Sequence, residues 1–137
     1  MKTKLMMTAA MAILLLLSFP LTSHSANPVT VDILYMNHSP LRLTVEQIRQ
    51  VLSDYGDKVN SSWYDFESKE GEKFMAQKGI RQHIPLVIWV NGKSTVPVEG
   101  RDIQLMGFPS GSGPAAFQGK WTMTDLRKAL DQLTDRK

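Results

Sequence analysis

The chain of 137 residues contains no cysteine. It can therefore form no disulfide bond, and it lacks the thiolate that thiol–disulfide exchange requires as a nucleophile. Cysteine-dependent oxidoreductase and isomerase activities are excluded, and so is lipid attachment through an N-terminal cysteine. Because small exported domains often depend on disulfides, a chain without them must be stabilised by an apolar core. No pair of nucleophile and base indicates another enzyme class, so we predict a protein that is not an enzyme.

The chain also has little net charge. Its formal charge is +3, of which Lys2 and Lys4 supply two units, so the part after residue 25 is near +1. A charge this small and this dispersed does not favour binding to nucleic acid.

The first 25 residues are typical of a signal peptide. Lys2 and Lys4 precede an apolar run from Leu5 to Leu17, and small polar residues follow up to Ser25. This order of a basic, an apolar and a small-residue segment predicts export and cleavage near Ser25. The apolar run is short for a membrane-spanning helix. We therefore expect a periplasmic or secreted protein, with residues 26–137 as one domain. The leader, if it is not cleaved, would be its only membrane contact.

Apolar periodicity predicts alternating strands and helices in the remaining chain. The expected strands are 29–35, 59–66, 86–90, 95–98 and 101–108, and the expected helices are 39–55, 68–78 and a last one from Thr122. The first helix has two candidate starts, at Ser39-Pro40 and at Thr44 with Gln47. Asn91-Gly92 predicts a hairpin turn. The predicted fold class is α/β.

Three segments make this order resemble the thioredoxin-like superfamily. Residues 31–42 resemble the family's first central strand and its Cys-Gly-Pro-Cys motif, with His38 and Leu41 at the positions of the two cysteines. Residues 79–92 resemble the segment that holds the family's cis-proline, which would be Pro85. Residues 119–122 resemble its closing element. The resemblance implies a central mixed sheet of four to five strands flanked by helices. It covers most of residues 29–135, and the extended hairpin and loop at about 93–118 departs from it.

The resemblance implies a binding groove in place of the lost redox centre. His38, Ser39, Pro40 and Leu41 would form one side of the groove, and Ile84 and a cis-Pro85 would form the other. Relatives hydrogen-bond extended peptides at the residue before this proline. The leading hypothesis is therefore an exported, redox-inactive binding, chaperone-like or adaptor module. The resemblance implies that its partner is a protein or an extended peptide.

The alternative hypothesis is a small periplasmic protein that binds or delivers copper or zinc. His38 and His83 are the only histidines after residue 25, and the resemblance puts both beside the groove. Met36 or Asp32 could complete a site, since imidazole with thioether suits copper and imidazole with carboxylate suits zinc. Two histidines without a fixed spacing are a poor metal motif, and solvated loop residues explain them better. In the same resemblance Asp32 falls at the position of the family's buried acid. It could pair with His38 there or form hydrogen bonds with other neighbours.

Overall fold

The computed structural model describes residues 27–135, so the predicted signal peptide lies outside the described residues. The elements in chain order are β1 (Val29–Tyr35), α1 (Ser39–Ser53), β2 (Val59–Asp65), α2 (Lys69–Lys78), β3 (Leu86–Val90), β4 (Thr95–Val98), β5 (Arg101–Gln104) and α3 (Met123–Thr134). Within this range, no helix is long and apolar enough to cross a membrane.

The main sheet has three strands in the order β2–β1–β3. β1 is parallel to β2, with Val29 beside Val59, and antiparallel to β3, with Val31 beside Val90. β4 and β5 form a separate two-stranded antiparallel sheet. The predicted mixed α/β class is confirmed, but the single sheet of four to five strands is wrong, because the strands are divided three and two.

The turn after β3 explains this division. Asn91 and Gly92 have positive φ angles (48° and 80°), as the predicted hairpin turn requires. The hairpin ends after the pairing of Val90 with Lys93, and β4 then pairs with β5 across a second tight turn at Glu99-Gly100. Residues 105–107 take the place beside β3 that we had predicted for β4. The N–H of Ile88 donates to the carbonyl of Leu105, and the N–H of Gly107 donates to that of Leu86.

Helices cover both faces of the main sheet. α1 and α3 pack on the face that carries Val31 and Ile33, and these side chains are fully buried. α2 packs on the other face, where Phe74 contacts a cluster that includes Leu34 and Val87. Burial of each large aliphatic side chain stabilises the fold by about 1.5–3 kcal/mol. The two apolar faces explain why β3 consists of five consecutive buried residues.

The helix ends follow the sequence signals. α1 begins at the first of its two candidate starts, with His38 as the N-cap and Pro40 in the first turn. α3 begins with a complete capping box, in which the side chains of Thr122 and Asp125 each accept a hydrogen bond from the other's backbone N–H. This α1 start places His38 and Ser39 at the carboxyl end of β1, close to the functional residues discussed next.

Candidate binding groove

A groove of about 530 Å³ opens beside Ile84 and Pro85, just before β3. Pro85 is fixed against the exit of β1, because the N–H of Met36 donates to its carbonyl (3.0 Å). Residues 27–135 contain no cis peptide bond, so the predicted cis-Pro85 is wrong and this bond is trans. The trans form is intrinsically favoured for X–Pro bonds. The hydrogen bond to Met36 already sets the direction in which the chain enters β3.

The groove exists because the strand beside β3 stops early. Residues 105–107 pair with β3 as far as Leu86, and there Gly107 takes a positive φ of 76°. The chain then turns away, and Phe108 pairs with residues 117–119 instead of continuing along β3. Ile84 is therefore left without a backbone partner among residues 27–135.

The backbone of Ile84, which lines this groove, has no hydrogen-bond partner among residues 27–135. Along β3, even-numbered residues bond the 105–107 segment, whereas odd-numbered ones bond β1. Pro85 continues the alternation, since its carbonyl accepts from Met36 on the β1 side. Ile84 lies before β3, on the far side of a bend at Pro85, and one more extended segment could pair with its free N–H and C=O.

The remaining walls come from the extension at 93–118 and the segment that follows it. Met106 and Phe117 both line the groove; Met106 is half-buried and Phe117 is 53% exposed. Asp102 and Lys120 add one charge of each sign. The groove thus has a mixed lining of apolar and polar side chains, an unpaired backbone at Ile84 and no dominant charge, which suits an extended, weakly charged peptide.

The outer wall is held in place by close backbone packing. The buried indole N–H of Trp121 donates to the carbonyl of Gly107 (3.1 Å), and the N–H of Gly119 donates to that of Phe108 (2.6 Å). A Cβ at Gly107 would lie 2.6 Å from the carbonyl oxygen of Phe117. A Cβ at Gly119 would overlap the carbonyl oxygen of Met106. Glycine is needed at both positions for the two chain segments to approach this closely.

The other predicted side of the groove is arranged differently. His38, Ser39 and Pro40 are exposed at the start of α1, and His38 lines a second cavity of about 340 Å³ beside that helix. Leu41, which we predicted as part of the rim, is only 2% exposed. The prediction is wrong because a residue in the first turn of α1 points its side chain into the core shared with α3.

The two histidines have different neighbours. The Nε2 of His38 lies 3.5 Å from a carboxylate oxygen of Glu67, and both side chains are more than half exposed. The ring of His83 lies against Phe66, with centroids 4.8 Å apart, and lines the groove beside Ile84. They therefore line different cavities. Within residues 27–135 no three His, Asp or Glu side chains are grouped closely enough to hold a metal ion.

Asp32 and Met36 add little to a metal site. Asp32 is half-buried on β1, beside Ser62 of β2 and Trp89 of β3, and nothing in residues 27–135 forms an ion pair or hydrogen bond with its carboxylate. A pairing of Asp32 with His38 is therefore not observed. Met36 is half-buried and lines the same cavity as His38.

Sequence reasoning missed the outer wall of the groove. Met106, Phe117 and Lys120 lie in or just after a segment that we interpreted as an ordinary extension. The signal for their role was the glycine-rich run from 107 to 119, since glycines mark close approach between backbone segments. No known protein-family model matches the chain, and a comparison with curated proteins also found no match.

Proposed function

We propose that this protein is an exported, cysteine-free member of the thioredoxin-like superfamily that binds extended peptide segments without redox chemistry. The β2–β1–β3 order and the helices on both faces support the resemblance drawn from the sequence. The absence of cysteine from the whole chain supports a binding role over thiol chemistry.

The unpaired backbone of Ile84 carries the proposal. It lies beside an open groove of about 530 Å³, at the point where the neighbouring segment turns away at Gly107. A bound segment would add one strand at this place, and its backbone would satisfy the N–H and C=O of Ile84. The side chains of Met106 and Phe117 would contact alternate residues of the ligand.

Selection from a displayed library of random ten-residue peptides tests the proposal. Peptides enriched on the wild-type protein are synthesised, and their affinities are measured by calorimetry. In Phe117→Ala the affinity should fall by about tenfold, because half of a large aromatic contact surface is lost.

Leu133→Ala is the matched control. Leu133 is 48% exposed and lies near the amino end of β1, away from the groove. The same peptides should bind Leu133→Ala as tightly as the wild type. The proposal fails if the two variants lose affinity equally. It also fails if no peptide becomes more frequent after selection than it is in the unselected library.

A further inference from the structure

β2 lies at the end of the main sheet, and among residues 27–135 it pairs with β1 only, so no strand in this range covers its outer edge. The N–H of Phe66 donates to the carbonyl of Tyr35, so the even-numbered residues of β2 face β1. The odd-numbered residues, Val59, Ser61, Trp63 and Asp65, therefore direct their backbone groups outward.

Two of these outward groups are already used, one at each end of the strand. The N–H of Val59 donates to the carbonyl of Gly56, and the carbonyl of Asp65 accepts from Ser68. The carbonyl of Val59, both groups of Ser61 and Trp63, and the N–H of Asp65 have no partner in the described part of the chain. The free groups are therefore arranged symmetrically about Ser62, with each free N–H on one side matched by a free C=O on the other.

Such a pattern is complementary to itself. If two β2 strands run antiparallel about a two-fold axis at Ser62, the N–H of Ser61 meets the carbonyl of Trp63 in the second copy, and the reverse bond also forms. The N–H of Asp65 then meets the carbonyl of Val59. In this register every free backbone group has a partner. If the two-fold axis lay at Ser61 or Trp63 instead, some of the free groups would have no partner.

β2 also lacks the features that usually block edge pairing. The strand Val59–Asp65 contains no proline and no lysine, and its one charge is at Asp65. Trp63 is held against the sheet by Tyr35, and the guanidinium of Arg49 lies 4.0 Å from its ring centroid. In the proposed register Ser62 faces Ser62, Ser61 faces Trp63 and Asn60 faces Tyr64, so no like charges oppose each other.

We infer that the protein forms a two-fold dimer through antiparallel pairing of β2, centred on Ser62. The occupant of this edge is a second copy of the chain, because the free groups are self-complementary. The peptide groove lies on the other side of the sheet, beyond β3, so the dimer does not depend on the proposed peptide binding.

Cysteine cross-linking tests the register directly, because the natural chain contains no cysteine. Ser62 would face its own copy as a non-hydrogen-bonded pair with Cα atoms about 4.5 Å apart, which suits a disulfide. Full-length Ser62→Cys, exported with its own leader and mildly oxidised, should form a covalent dimer. Asn60→Cys and Tyr64→Cys should each stay monomeric alone but cross-link when mixed. Cross-linking of Asn60→Cys with Ser62→Cys in preference to these pairs would overturn the register.

Sedimentation equilibrium tests the association without cysteines. Ser61→Pro removes an outward N–H while sparing the bonds to β1, and it should raise the dimer dissociation constant at least about tenfold. Ser61→Ala keeps the N–H and should dimerise like the wild type. The inference is overturned if the wild-type chain is monomeric up to millimolar concentration. It is also overturned if the Ser61 and Trp63 amides resist hydrogen exchange independently of concentration, because residues 1–26 or 136–137 would then cover the edge.

Discussion

Both the stability of the fold and the shape of the groove depend on Gly107. Its positive φ of 76° turns the chain away from β3, and its missing side chain allows the carbonyl of Phe117 to approach. Gly107→Ala should therefore destabilise the protein and disturb the outer wall of the groove. Gly92→Ala is the control, because Gly92 has a similar φ of 80° but open space around its Cβ position.

The two substitutions share one cost and differ in another. The left-handed conformation costs a residue with a Cβ about 1–2 kcal/mol, and both variants bear it. At Gly107 the new Cβ also lies 2.6 Å from the carbonyl oxygen of Phe117, and its contact is backbone that cannot rotate away. Overpacking of this kind adds about 1–3 kcal/mol. Gly107→Ala should therefore reduce the free energy of unfolding more than Gly92→Ala, by about that amount.

Urea denaturation followed by tryptophan fluorescence measures both changes. The midpoint should fall much further for Gly107→Ala, with an unchanged slope, and peptide affinity should fall in that variant alone. Equal losses of stability would show that the approach of residues 117–119 to Gly107 is not tight. A stable Gly107→Ala variant with full peptide affinity would refute the account of the groove.

Four further predictions concern single side chains and metal ions. Trp121→Phe should cost about 1–3 kcal/mol of unfolding free energy in urea denaturation, because a buried carbonyl loses its donor; a smaller loss would mean that water replaces the indole. Thr122→Ala should lower the stability by about 1 kcal/mol in the same assay, through loss of the α3 cap, and an unchanged midpoint would contradict that role. Leu41→Ala should cost about 2–5 kcal/mol because Leu41 is a core residue, whereas a rim residue would lose less than 1. In a titration with copper or zinc ions, the NMR signals of His38 and His83 should respond separately; a joint shift at one equivalent would instead support a shared metal site.

Most of the fold was predictable because its signals are local. Five consecutive apolar residues gave β3 its bounds, and Thr122 with Asp125 gave the start of α3. The division of the sheet was not predictable in this way. Asn91-Gly92 sets a turn after β3, but β4 pairs with β5 across a second turn at Glu99-Gly100 and not with β3. The choice between two partners for one strand depends on long-range packing, which no local pattern records.

Only one side of the candidate groove was predictable from the sequence. The sequence indicated Ile84 and Pro85, and the structure has an open groove beside them. It also led us to Leu41, because the resemblance aligns positions along the chain and does not show which way a side chain points. Phe117 was missed because its role depends on two glycines that bring distant segments together.

The amide of Ile84 provides the most direct test of the proposed function. Its hydrogen exchange should be measured by NMR with and without a peptide selected on the wild-type protein. We predict that saturating peptide protects the Ile84 amide and shifts the signals of Gly107 and Gly119, which border the same groove. Unchanged exchange at Ile84, with shifts confined to His38 and the start of α1, would contradict peptide binding in this groove.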